Sequence, residues 1–279
     1  MQQHSYGLAG VMGWPVAHSR SPLIHNHWLE THALPGAYVL LPVQPARLEA
    51  ALRGLAALGF QGCNLTIPHK VAALGLVDAL DANARRVGAI NTIVVQPDGA
   101  LHGFNNDGFG YIESLREAKP DWRAGDGPVT VLGAGGAARA VVLALADQGA
   151  TEIRLVNRTL ERAQALAQEF GPPVQAFDWA QRHAALQGAA LLVNTTNQGM
   201  EGYPPLDLRL DALPVTALVS DIIYVPLETP LLAAARQRGN TTVNGLGMLL
   251  HQARPAFAAW FGVLPAVDEE LREIVEETL

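Results

Sequence analysis

Short apolar, β-branched runs alternate along the chain with longer stretches of helical spacing, the pattern of βαβ units built on parallel strands. In the first half the expected strands are 6–12, 37–43, 63–67 and 89–95. The last is followed by a turn at Pro97, Asp98 and Gly99 and a return strand over 101–104. Helices fall between them. Ser21 precedes Pro22 at the start of the first, where a hydroxyl caps a free N–H and the proline lacks a donor that would go unused. Asp107 opens another helix, running through Leu115. The Pro-, Gly- and Asp-rich stretch 119–128 reads as a linker. Beyond it come strands 129–133, 152–157, 191–195, 218–223 and 241–244, with helices 137–148 and 160–170. Segments 247–261 and 268–279 read as helices that pack back on the first half. The fold class is α/β.

A length of 279 residues points to two domains or one large α/β domain, and 49% hydrophobic against 16% charged residues supplies a core. The net charge of −7 argues against a nucleic-acid or acidic-membrane partner. Most of it lies in the last twelve residues, where Asp268, Glu269, Glu270, Glu273, Glu276 and Glu277 face only Arg272. A single cysteine, Cys63, forms no internal disulfide, so a reducing, cytoplasmic setting is expected. The opening MQQHSYGLAGVMGWPV has neither the basic flank nor the apolar run of a signal peptide. His18, His25, His27 and His32 cluster in spacings that match no zinc pattern, and no metal site is expected.

Within VTVLGAGGAARAVVLAL, an apolar strand is followed by Gly133, Gly135 and Ala138 in G-x-G-x-x-A spacing and then by an apolar helix. Gly133 permits the tight turn, Gly135 lets backbone approach a pyrophosphate, and Ala138 allows close helix packing. The anion would sit on free N–H groups at the helix start, among Gly133, Ala134, Gly135, Gly136 and Ala137. The next strand ends not in an acid but in Asn157, Arg158 and Thr159, with Arg162 following. Two guanidiniums and no carboxylate favour a 2′-phosphate, hence NADP over NAD. An exposed helix face is the other reading of the arginines.

Small polar residues gather at the expected strand ends of the first half: Ser19 and Ser21, Asn64 and Thr66, Asn91 and Thr92, Asn105 and Asp107. Ligands of open α/β sheets sit at the carboxyl ends of strands, and hydroxyls with amides suit a polyhydroxylated carboxylate. Helix capping and strand-end hydrogen bonding account for each residue taken singly. Of 19 basic residues, 17 are Arg, and Lys70 and Lys119 are the two lysines. Lysine offers what arginine does not, a proton that leaves, which suits Lys70 to acid and base work. A surface lysine is the other reading.

The blocks GWPVAHSRSPLIHN, NLTIPHK, GAINT, GFNNDGFG, GAGGAARA, NRT with Arg162, NTTNQGM, DIIYVPLETPL and NGLGMLLHQ, in this order, resemble the shikimate dehydrogenase family over nearly the whole chain. The resemblance implies an N-terminal α/β substrate domain (1–108 with 246–279), a Rossmann-type doubly wound NADP domain (109–245) and an active-site cleft between them. It implies NADPH-dependent reduction of 3-dehydroshikimate to shikimate in aromatic amino-acid biosynthesis, by a monomer or homodimer. Ser19 and Ser21, with Tyr224, resemble the residues that bind the substrate carboxylate. Thr66, Asn91 and Gln252 resemble those that hold the ring hydroxyls, with Asn64 beside them, and Lys70 and Asp107 resemble the catalytic pair. Gly245 and Met248 fall where the family lines the nicotinamide. Asn194, Thr196, Met200 and Ile222 fall on its cofactor side. Asn106 departs from the usual Thr, NTTN from NATS, and Asn244 from Asp. The competing expectations are an NAD-using quinate/shikimate dehydrogenase and a shikimate-binding regulator without turnover.

Overall fold

The computed structural model describes residues 6–279. Residues 1–5, which open the segment read as lacking a signal peptide, lie outside the described residues. The chain divides into two compact units, Met1–Asn106 with Gln252–Thr278, and Asp107–His251. The expected return to the first domain at 246 falls inside a helix whose first seven residues, Gly245 to His251, belong to unit two.

Unit one runs β1 (Gly7–Gly13), α1 (Ser21–Thr31), β2 (Gly36–Pro42), α2 (Leu48–Ala57), β3 (Gly62–Leu65), α3 (His69–Ala72), β4 (Ala79–Leu80), α4 (Ala82–Val87), β5 (Thr92–Val95) and β6 (Leu101–Phe104). Its sheet has the order β2-β1-β3-β5-β6-β4. The expected return strand over 101–104 pairs antiparallel with β5, while the parallel βαβ pattern fails between β3 and β5, which are antiparallel as well. The β5–β6 connection is a tight turn with Gly99 at φ +86, and so short a link joins only antiparallel strands. The strand expected over 89–95 starts later, at Thr92. Before it, the N–H of Ile90 donates to the Lys70 carbonyl at 2.8 Å and that of Asn91 to the Phe104 carbonyl at 3.0 Å. β4 was not anticipated.

The start of α1 also differs from expectation. Ser21 is the first helical residue and its hydroxyl caps nothing. The N–H groups of Leu23 and Ile24 already donate to the Arg20 carbonyl, at 3.0 and 3.3 Å, which leaves a Ser21 cap no donor to serve. Instead Ser19 Oγ accepts the Ser21 N–H at 3.3 Å.

Unit two runs α5 (Asp107–Ala118), β7 (Val129–Leu132), α6 (Gly136–Asp147), β8 (Ile153–Asn157), α7 (Leu160–Phe170), β9 (Val174–Asp178), β10 (Leu191–Asn194), β11 (Leu218–Asp221), α8 (Pro230–Gln237), β12 (Thr242–Val243) and the first part of α9 (Gly245–Phe261). All six strands are parallel in the order β9-β8-β7-β10-β11-β12, the 3-2-1-4-5-6 arrangement of a doubly wound sheet. Neighbouring residues along each strand enter different cores. Val131, Leu155 and Val193 pack with Val141, Val142 and Leu145 of α6, while Leu132, Val156 and Leu192 pack with Leu232 and Ala235 of α8. A sheet covered on both faces explains why these strands read as unbroken apolar runs.

The stretch 119–128 is no free linker. Trp122 and Ala124 are 4% and 3% exposed and belong to the core of Tyr111, Leu115 and Val129 within unit two. The last helix, α10 (Glu269–Glu276), belongs to unit one, and Asp268 caps it by accepting the Leu271 N–H at 2.9 Å. The indole N–H of Trp28 donates to the Ala266 carbonyl at 2.9 Å, and that of Trp260 to the Ile93 carbonyl at 2.9 Å. These bonds seat the returning segment on α1 and β5. Among the described residues no helix is long and apolar enough to cross a membrane.

Candidate active site

In unit one the candidate residues sit on the loops that leave β1 and β3, on β3 itself and beside β5. Ser19 and Ser21 are half-buried and adjacent, Ser19 Oγ donating to Ser21 Oγ at 3.2 Å. Thr66 follows β3 and is held by its N–H, which donates to the Met12 carbonyl at 2.9 Å. A Cβ on Gly13 would lie 2.5 Å from Thr66 Cγ2, so only glycine lets β1 pass this close. Lys70, half-buried, follows on α3.

Asn64 and Asn91 are 6% and 2% exposed and form the centre of a polar array. Asn64 Nδ2 donates to the Asn91 carbonyl at 3.0 Å and to Thr92 Oγ1 at 3.1 Å. Thr92 Oγ1 donates to Asn91 Oδ1 at 2.9 Å, and Asn91 Nδ2 points to Gln252 Oε1 at 3.4 Å. Asn106 joins the array, its N–H donating to Asn91 Oδ1 at 3.0 Å and its Nδ2 to Thr92 Oγ1 at 3.1 Å. The amide supplies this second donor where a threonine would offer a shorter hydroxyl. The structure thus brings Asn64, Asn91 and Gln252 together as one hydrogen-bonded set. It also adds Tyr38, which the sequence reading did not single out and whose phenol donates to Asn64 Oδ1 at 2.6 Å.

Of the four clustered histidines, His25 is fully buried against the rings of Trp28, Tyr38, Phe257 and Trp260. Burial lowers its pKa from 6.5 to about 3, only partly opposed by Asn64, so the ring is neutral. Among the described residues no group of three or more His, Cys, Asp and Glu is placed to hold a metal ion.

In unit two, Gly133 turns the chain out of β7 at φ +103, and a Cβ there would lie 2.6 Å from Thr195 Oγ1. α6 begins at Gly136 behind Gly135, with no side chain capping its first N–H groups. Cβ atoms on Gly135 and Gly136 would meet nothing within 4 Å, so the space beside this turn is open. Ala134 and Ala137 are half-buried beside them, and Ala138 is fully buried against the sheet. An uncapped helix start is an arrangement that suits an anion. Asn157 Nδ2 donates to the Thr159 carbonyl at 2.8 Å. Arg158 and Arg162 are exposed and, among the described residues, their guanidinium groups have no hydrogen-bond or ion-pair partner. Arg139, Arg154 and Arg182 of the same unit are all bonded to carboxylates.

Asn194, at the end of β10, is fully buried and every polar atom of its side chain is used. Nδ2 donates to both oxygens of Asp221, while Oδ1 accepts the Thr196 N–H at 3.0 Å and hydroxyl at 2.7 Å. Its part is to shape the loop that carries Thr196 and Met200. Asp221, the first residue of DIIYVPLETPL, is a further member of this set that its sequence context alone does not reveal. It accepts from Thr229 Oγ1 at 2.8 Å and from the Ile223 N–H at 3.2 Å, and burial raises its pKa above the ordinary carboxylate value. The Ile222 N–H donates to the Asn194 carbonyl at 3.1 Å. A Cβ on Gly245 would lie 2.0 Å from the Ile222 carbonyl oxygen, so the start of α9 also requires glycine. Asn244 Oδ1 accepts the Leu246 N–H at 3.2 Å, a capping bond that asparagine makes as well as the usual aspartate. Tyr224, Met248 and Asp107, the first residue of α5, are half-buried.

Two family models match the chain: the shikimate dehydrogenase substrate binding domain over residues 11–93, and shikimate / quinate 5-dehydrogenase over residues 117–200. The shikimate dehydrogenase (NADP(+)) of Paramagnetospirillum magneticum is 58% identical over 268 residues, 96% of this chain and 97% of that one. The crystal structure of the Thermus thermophilus shikimate 5-dehydrogenase with NADP(H) and shikimate superimposes with a TM-score of 0.87 at 38% identity, covering 98% of this chain and 100% of that one. The quinate dehydrogenase of Corynebacterium glutamicum, solved with NAD, superimposes with a TM-score of 0.89 at 30% identity, covering 98% and 99%. The chain belongs to the shikimate dehydrogenase family.

Proposed function

We propose that the protein catalyses the reversible NADPH-dependent reduction of 3-dehydroshikimate to shikimate, in the biosynthesis of chorismate and the aromatic amino acids. The observation that carries this reading is the presence in one chain of both halves of the chemistry. One is the uncapped start of α6 with the two unpartnered arginines. The other is the Asn64–Asn91–Gln252 array, its asparagines buried, with a half-buried lysine.

NADPH fits unit two. The backbone donors of 133–137 would hold its pyrophosphate, and Arg158 and Arg162, with Asn157 and Thr159, its 2′-phosphate. Thr196, Met200, Ile222, Gly245 and Met248 would line the remainder. Bound, the cofactor supplies a hydride for the ketone carbon. The chain's own residues do the rest. Lys70 as ammonium stabilises the developing alkoxide and gives it a proton, and takes one from the hydroxyl in reverse. Asp107 orients this exchange. Ser19, Ser21 and Tyr224 donate to the carboxylate, while Asn64, Thr66, Asn91 and Gln252 bind the ring hydroxyls.

The protein would act in the cytoplasm, as monomer or homodimer, with small molecules as its partners. Following absorbance with 3-dehydroshikimate and NADPH tests this directly, and NADH and quinate run in parallel separate the NAD-using alternative. No NADPH oxidation would leave a shikimate-binding regulator as the reading.

A further inference from the structure

Tyr38 sits on β2, an edge strand, yet is 2% exposed and held at every polar atom. Asn26 of α1 clamps its backbone, Nδ2 donating to the Tyr38 carbonyl at 2.9 Å and Oδ1 accepting the Tyr38 N–H at 2.8 Å. The edge groups that would otherwise face water are thereby closed. His25 lies flat on the ring, centroids 4.1 Å apart and planes 2° from parallel. The phenol then donates to Asn64 Oδ1 at 2.6 Å.

The order of donation runs inward from there. With Oδ1 taken by Tyr38, Asn64 gives both Nδ2 hydrogens away, to the Asn91 carbonyl and to Thr92 Oγ1. Thr92 Oγ1 also accepts from Asn106 Nδ2, so both its lone pairs are filled and its one proton goes on to Asn91 Oδ1. Asn91 Oδ1, receiving Thr92 and the Asn106 N–H, is filled as well, and Nδ2 is the end that faces Gln252. The Tyr38 hydroxyl anchors this array from the outer side. Burial pushes the phenol well above its usual range, as does Cys63 beside it, with Ser21 opposing, so the donor keeps its proton.

We infer that Tyr38 is a positioning residue for the substrate site, holding Asn64 so that Asn91 presents its Nδ2 donors to a ring hydroxyl. This rests on the assignment of Asn91 to substrate given above. Without the hydroxyl, Asn64 Oδ1 is a buried acceptor lacking a donor, and the array loses its outer anchor.

The test is a double-mutant cycle of Tyr38→Phe and Asn91→Ala on the full chain, reading shikimate and NADP+ affinities by calorimetry and melting temperature alongside. Phenylalanine keeps the ring that stacks on His25. Tyr38→Phe is expected to weaken shikimate binding about tenfold, leave NADP+ affinity unchanged, and have no further effect when Asn91 is already alanine. A merely structural loss would lower both affinities and add to Asn91→Ala. Unchanged shikimate affinity in Tyr38→Phe, or full additivity, overturns the inference. Asn91→Ala with unchanged shikimate affinity overturns the site assignment itself. Should Tyr38→Phe not fold, Asn26→Ala, which releases the Tyr38 backbone without touching a residue assigned to substrate, is held to the same outcomes.

Discussion

Asn194 and Asp221 are register partners on adjacent parallel strands, and the Asn194 amide donates to both carboxylate oxygens of Asp221, at 3.1 and 3.2 Å. Thr229 and the Ile223 N–H complete the set, so the carboxylate ties the loop after β10 to the loop after β11. Asp221→Asn places an amide N–H against donors in a buried site, a change that costs about 1–3 kcal/mol. The expected result is a lower melting temperature and a raised KM for NADPH with little change in KM for shikimate. Equal changes in both KM values would contradict the role assigned to these loops.

Lys70→Ala removes the proton donor from α3 while leaving its backbone carbonyl, which accepts the Ile90 N–H at 2.8 Å, in place. Turnover should fall by roughly 10²–10⁴, the range for losing one general acid, with a smaller change in shikimate affinity. Near-normal kcat in steady-state assays would rule Lys70 out.

Replacing Arg158 and Arg162 together by alanine should raise KM for NADPH about tenfold or more, and leave KM for NADH where it was. Neither arginine has a partner to lose among the described residues, so the fold should be indifferent to the change. A parallel rise for both cofactors would mean that the arginines do not read the 2′-phosphate.

His25 makes stability depend on pH in a definite direction. The unfolded chain protonates this ring below 6.5, whereas the folded protein resists until about 3. Between those values the unfolded state binds more protons, so stability rises with pH and is lost as pH falls from 6.5, by at most about 1.4 kcal/mol per unit. Tyr38 and Cys63, which face the ring's surroundings, are pushed upward and do not titrate in this window. Asp78 and Glu169, held below 3.8 and 4.5, are lost only at lower pH. Urea unfolding between pH 7 and 5 should show the slope in the wild type and not in His25→Leu; equal slopes would refute the assignment.

Periodicity located most elements because burial imposes it. Helix α7 was read to its observed ends, Leu160–Phe170, since Gly171 stops it at φ +66, a local signal. The strand β9, at an edge and mostly half-exposed, carries little pattern and was missed. Composition misjudged 119–128, because Pro, Gly and Asp mark turns whether or not a Trp122 among them is buried. At the site, Asn64, Asn91 and Gln252 were legible as polar residues in quoted blocks. Tyr38 was not, for what distinguishes it is supplied by residues 25, 26 and 64, none of them its neighbour in sequence. Asp221 likewise takes its meaning from Asn194 and Thr229.

Unit two is one continuous stretch of chain, while unit one awaits Gln252–Thr278. During synthesis the second unit can therefore close before the first is complete. Until Phe257 and Trp260 emerge, the rings of His25, Trp28 and Tyr38 lack their cover, and the nascent chain carries an open aromatic face. The residues that shield it are made after unit two, so premature termination just after His251 would leave a folded second unit tethered to a sticky, unfinished first one.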